Sequence, residues 1–135
     1  MTGYWQELDH TADLAIEVFG SDLEALFTTS AQALCALAFE SSSILTKQQF
    51  IIDLTAPDVE SLLIDWLNEL LYLSEKHNIF LSGFTFHSIT PRELSASVES
   101  KRQRITKQYI KAATFHNIAV VQSQGGFQTE IVFDI

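Results

Sequence analysis

The chain has 135 residues, 47% hydrophobic and 19% charged, with a formal charge of −9 from 17 acids and 8 bases. That size and balance predict one globular domain over residues 1–135, with a core large enough to fold without a metal or disulfide. The acidity repels phosphate backbones, which excludes a general nucleic-acid binder and suits a cation or a basic protein surface.

The charge is unevenly spread. Residues 1–75 hold 13 acids and one base, Lys47, whereas residues 76–135 hold seven bases and four acids. Met1 to His10 show no basic stretch followed by an apolar run, so a secreted protein is not expected. The most apolar stretch, Val59 to Leu73, is broken by Glu60, Asp65 and Glu69 and is too charged to cross a bilayer. The lone cysteine, Cys35, fits a reducing cytosol and reads as a small buried hydrophobe rather than a reactive thiol. A cytoplasmic protein without a membrane partner is the expectation.

In chain order, Leu14, Ile16 and Val18 alternate with Ala15, Glu17 and Phe19, the period of a strand. Ser21-Asp22-Leu23-Glu24 has the spacing of a capping box with Ser21 as the cap. Leu23, Leu26, Phe27, Ala31, Leu34 and Leu37 then share one helical face. Ser41-Ser42-Ser43 looks like a loop, and Phe50, Ile52 and Leu54 alternate as a strand. A second helix starts near Pro57-Asp58, with Val59, Leu62, Leu63, Trp66, Leu67, Leu70 and Leu71 as its apolar stripe. Asp65 and Glu69 stand four apart on the opposite face.

Ile79 to Phe86 reads as a strand with Gly83 a candidate bulge, and Leu94, Ala96 and Val98 as another. Ser100 to Thr106 looks loop-like, and strands are expected at Tyr109 to Phe115 and Ile118 to Val121. Gly125-Gly126 has hairpin spacing before a last strand, Phe127 to Asp134. Early helices and late strands predict an α+β fold, a mostly antiparallel sheet with two amphipathic helices on one face.

Two places concentrate chemistry. Asp9-His10-Thr11-Ala12-Asp13 puts two carboxylates, an imidazole and a hydroxyl into one turn. Aspartate and threonine offer hard oxygens for calcium or magnesium, and histidine would favour zinc or manganese. The commoner use of such a stretch is a polar turn bonding neighbouring amides. At the other end, Asp134 and the α-carboxylate of Ile135 bring two anions onto one strand end, which repel unless a cation or proton lies between them. The bland alternative is a solvated terminus.

Together these stretches resemble the archease family. The likeness runs through Asp9-His10-Thr11-Ala12-Asp13 into Gly20, through Leu62 to Leu71, through Lys111-Ala112-Ala113-Thr114-Phe115-His116, and closes with Ile131-Val132-Phe133-Asp134-Ile135. Relatives often carry tyrosine where this chain has Phe115, and tryptophan near Gly126-Phe127. The resemblance implies a non-catalytic accessory protein of an RtcB-type RNA ligase, which joins tRNA halves and repairs RNA. It implies that the protein promotes ligase guanylylation, a manganese-dependent step, and multiple turnover. It also implies a divalent-cation site, calcium in some members with manganese or magnesium as alternatives, built from Asp13, Asp134 and Ile135. Asp9 and His10 would stand nearby, and RNA would be met only through the ligase.

Other residues have weaker readings. His116 ends an expected strand and reads first as a hydrogen-bonded structural residue, with support of the metal site as the alternative. Asp65 and Glu69 read as a solvated helix face that could also dock a basic partner. Lys101, Arg102 and Arg104, with Lys107 and Lys111, place five of eight bases in eleven residues, expected as an exposed hairpin loop or a contact for phosphate or an acidic surface. Two rival functions share the chain: a small metal-dependent phosphoester hydrolase using the same carboxylates, and a general chaperone or adaptor. No elbow serine, phosphate loop or zinc motif is present in the sequence.

Overall fold

The computed structural model describes residues 2–9, 13–123 and 125–135. Its elements, in order, are β1 (Gly3–Leu8), β2 (Leu14–Gly20), α1 (Leu23–Ala38), β3 (Phe39–Thr55), α2 (Val59–His77), β4 (Ile79–Thr90), β5 (Glu93–Thr106), β6 (Ala112–Ala113), β7 (Val121–Ser123) and β8 (Gly126–Asp134). The class is α+β with antiparallel pairing throughout these strands. The strands divide into two sheets rather than one. The first runs β1-β2-β8-β6, with β7 also on β8; the second runs β3-β5-β4.

The helices hold the two sheets together. Trp66 of α2 is fully buried, and its indole N–H donates to the Phe27 carbonyl of α1 at 3.1 Å. The same indole meets Phe84 and Phe86 on β4, and the Phe27 ring stands edge-on to Phe86. Both helices thus cover one face of the three-stranded sheet. α1 also packs against β1 and β2 of the other sheet, so residues around most of its circumference are buried. A single core results, joining Ile16 and Val18, Leu26 and Phe27, Leu63 and Leu67, Val98, Ile131 and Phe133. No helix among the described residues is long and apolar enough to cross a membrane.

Local chemistry explains the element ends, with one correction. The cap of α1 is Asp22, whose carboxylate accepts from the Ala25 amide at 2.7 Å. Ser21 is occupied elsewhere: its hydroxyl accepts from the Thr2 amide at 2.9 Å, and its own amide donates to the Thr2 carbonyl at 2.8 Å. The turn into α1 is so close that a Cβ on Gly20 would run into the Leu26 backbone. Asp22→Ala is therefore expected to lower stability by about 1 kcal/mol. Ser21→Ala should instead loosen residues near Thr2 without fraying α1, a contrast that amide hydrogen exchange would display. Equal fraying in both variants would restore Ser21 as the cap.

α2 opens as expected, on Asp58, whose carboxylate accepts from the Ser61 amide at 2.8 Å. That backbone bond holds the Asp58 pKa below its ordinary value. The helix closes on Asn78, which adopts the left-handed region at φ 54° with its amide on the Ser74 carbonyl.

Four stretches depart from the sequence reading. Ser41-Ser42-Ser43 is not a loop but lies within β3, and Ser100 to Thr106 belongs to β5. Register shifts between Ser41 and Gln48 let β3 carry these polar residues while still pairing. Conversely, the runs around Tyr109–Phe115 and Ile118–Val121 are mostly irregular. Amides in these runs find other acceptors: Thr114 donates to the Val132 carbonyl at 3.0 Å, and Val120 donates to the Glu60 carboxylate at 2.8 Å. The shift between Leu81 and Gly83 supplies the anticipated bulge in β4. The β7–β8 hairpin also forms, with Gly125 at φ 76° in its turn.

Cys35 is buried, and loss of solvation pushes its thiol up to about 12 from 9.0. Three pH units cut the thiolate fraction roughly a thousandfold. Iodoacetamide at pH 8 should leave Cys35 of the folded protein unmodified and label it once urea unfolds the chain. Rapid labelling of the native state would show that the thiol is reachable and activated.

Candidate functional site

The candidate carboxylates owe their position to strand register. Between β1 and β2 Leu8 pairs with Ala15, so Asp9 follows the end of β1 and Asp13 precedes the start of β2. On the other side of β2, Leu14 pairs with Phe133. One step beyond that pair stand Asp13 and Asp134, followed by Ile135. The two aspartates come from sequence positions far apart, yet adjacent antiparallel strands bring them to one end of the first sheet.

That end is anchored from below. Ile131, Val132 and Phe133 are buried, which fixes the final strand in the core. β6 grips its outer flank: Ala112 pairs with Asp134, and Ala113 with Phe133. The Lys111 amide donates to the Asp134 carbonyl at 2.8 Å. The Thr114 amide and hydroxyl both donate to the Val132 carbonyl, at 3.0 and 2.9 Å.

Asn68, from α2, then clamps β6 in turn. Its side-chain oxygen accepts from the Ala113 amide at 2.8 Å, and its amide nitrogen donates to the Ala113 carbonyl at 3.2 Å. Sequence reading passed over Asn68 and Glu60. The available signal was a side-chain amide beside an apolar helix stripe, a place where an unpartnered polar group is costly.

The donors differ in exposure. Asp13 is half-buried, while Asp9, Asp134 and Ile135 are exposed. His10, together with Thr11 and Ala12, lies outside the described residues. Among the described residues no group of three or more histidine, cysteine, aspartate or glutamate side chains forms a preassembled metal cluster. The candidate set is instead the side-chain carboxylates of Asp13 and Asp134, with Ile135 following the latter. Those hard oxygens suit calcium or magnesium, and leave most of a shell of six to eight ligands to water or a partner.

The remaining candidates fall elsewhere. His116 sits in a turn past Thr114, closed by the Ile118 amide on the Phe115 carbonyl at 3.3 Å; its ring contacts the Asn117 side chain. β6 ends at Ala113, so no strand pair relates His116 to Asp134. Asp65 is exposed, whereas Glu69 is half-buried in a cleft beside Phe50–Leu54 of β3.

Lys101, Arg102 and Arg104 are strand residues of β5, not members of a hairpin loop. Arg102 donates to the Ser43 carbonyl at 3.3 Å. Arg104 lies over the Phe39 ring, 5.2 Å from its centroid, and donates to Thr106 at 3.0 Å.

Two helices enclosed by antiparallel sheets, with a carboxylate-bearing sheet end, define the class of protein. The sequence profile of the Archease protein family matches residues 5–135. The chain belongs to the archease family. It is 31% identical to the Protein archease of Methanosarcina barkeri, covering 97% of this chain and 95% of that one. It is also 31% identical to that of Archaeoglobus fulgidus, over 95% and 96% of the two chains.

The fold is similar to the solution structure of Methanobacterium thermoautotrophicum protein 1598, with TM-score 0.72, 24% identity and coverage of 97% and 98%. It is similar as well to the crystal structure of an archease from Thermotoga maritima, described as a possible chaperone, with TM-score 0.68, 20% identity and 96% of each chain covered.

Proposed function

We propose that this protein is a non-catalytic activator of an RtcB-type RNA ligase, acting through a divalent cation held by Asp13, Asp134 and the Ile135 carboxylate. The observation that supports the reading is the β2–β8 register, which pairs Leu14 with Phe133 and so ends at the residues next to Asp13 and Asp134. The cation would screen their mutual repulsion and supply a positive centre with open coordination positions. This chain's part is to hold the oxygens at a rigid edge, through the buried end of β8, β6 and the Asn68 clamp. An accessory role agrees with the description of the Thermotoga maritima archease as a possible chaperone. The protein would work in the cytoplasm and meet RNA only through the ligase.

A multiple-turnover RNA ligation assay tests this, with the cognate ligase, manganese and GTP, in the presence and absence of the protein. Faster ligase guanylylation and sustained turnover are expected. No effect on a ligase known to stall after one round would remove the proposal.

A further inference from the structure

A second surface lies on the three-stranded sheet, away from the carboxylates in the chain's topology. Among the described strands β3 is an edge of this sheet. Two register shifts between Ser41 and Gln48 push part of it out of the ladder, leaving Thr46 and Lys47 without partners on β5. The displaced segment displays Ile44 and Leu45, the latter 72% exposed. Beside Leu45 a groove of about 700 Å³ runs between Leu45–Gln49 and Glu99–Lys101.

The charge around that groove is opposite to the charge of the whole chain. Lys47, the single base of residues 1–75, lines it together with Lys101 of the basic run in β5. Arg102 pairs with Leu45 and is held in place by its bond to the Ser43 carbonyl. Folding therefore gathers bases from both halves of the sequence around an exposed aliphatic side chain, within a chain of net charge −9.

The geometry points to a docking site for an extended, acidic segment of a partner protein. One aliphatic or aromatic side chain would meet Leu45, and flanking carboxylates would meet Lys47, Lys101 and Arg102. The unpaired edge of β3 offers backbone groups to such a strand, and side chains at alternate positions would reach the groove. A phosphodiester chain fits less well. The lining holds no aromatic ring on which a base could stack. The site is independent of the carboxylate end, so it stands or falls separately from the ligase proposal.

Fluorescence polarisation with the full chain tests the site, using three labelled peptides of about six residues, the span of Leu45–Gln49 and its ends. The first places leucine among aspartates and glutamates, the second replaces the acids by lysines, and the third replaces the leucine by serine. Saturable binding of the first alone is expected, weakening as salt rises. The double variant K47E/K101E and the single variant Leu45→Ser should each weaken it about tenfold, with thermal melts showing both folded.

Absence of saturable binding of the first peptide, equal binding of the lysine peptide, or indifference to both variants would overturn the proposal. So would tighter, K47E/K101E-sensitive binding of a single-stranded oligonucleotide, which would assign the groove to phosphate. Leu45-dependent dimerisation in sedimentation, in place of peptide binding, would assign it to a second copy of the chain.

Discussion

Replacing Asp13 by alanine or asparagine is expected to abolish stimulation of a cognate RtcB-type ligase while the fold survives. Asp13 immediately precedes β2, outside the buried core, so its loss opens no cavity. What it removes is one of two side-chain carboxylates from an oxygen set that already supplies few ligands. Calcium affinity, read by isothermal titration calorimetry, should fall by roughly a hundredfold or more, since even indirect support of a metal site is worth ten- to a hundredfold.

The asparagine variant separates charge from shape, because it keeps the side-chain outline and one oxygen. Glu130→Gln, an exposed acid on β8 set back from that end, is the control and should retain stimulation. Full activity of both Asp13 variants would show that the acidic sheet end is not the effector. A Glu130→Gln effect of equal size would point to bulk negative charge instead.

Trp66→Ala should be the most damaging single change to stability, at roughly 3–5 kcal/mol. The indole is fully buried, bonds to the Phe27 carbonyl at 3.1 Å, and meets Phe84 and Phe86. Truncation opens a cavity where α1, α2 and β4 converge, and helices packed on several sides cannot easily collapse into it. Against a typical domain stability of about 5–15 kcal/mol, that loss would leave a marginal protein.

Trp66→Phe keeps a ring but loses the donor, and a cost of about 1–2 kcal/mol is expected. Urea denaturation of the three proteins measures both steps. A loss below about 1 kcal/mol for the alanine variant would mean that this junction is not close-packed.

Much of the fold was legible because period and punctuation agree locally. α2 carries an apolar stripe at three- and four-residue spacing, and Asp58 caps it where the sequence places the start. The alternation in β2 survives as burial of Ile16 and Val18. The cap of α1 was misplaced by one residue because Ser21 and Asp22 are both good acceptors. Only the N-terminal segment, by donating its Thr2 amide to Ser21, decides between them. The serine run in β3 and the basic run in β5 resemble loops because their composition is polar. A bulged edge strand and an outer sheet face admit the same composition without breaking the ladder.

By itself, the sequence determined the α+β class, both helices and the buried roles of Trp66 and Cys35. Only the tertiary structure decided the division into two sheets and the register that pairs Leu14 of β2 with Phe133 of β8. It also decided the Asn68 clamp on β6 and the approach of Lys47 to Lys101. The physical reason is range. Helix periodicity and capping are set by residues three or four apart, whereas strand register is settled by which faces a shared core can bury at once.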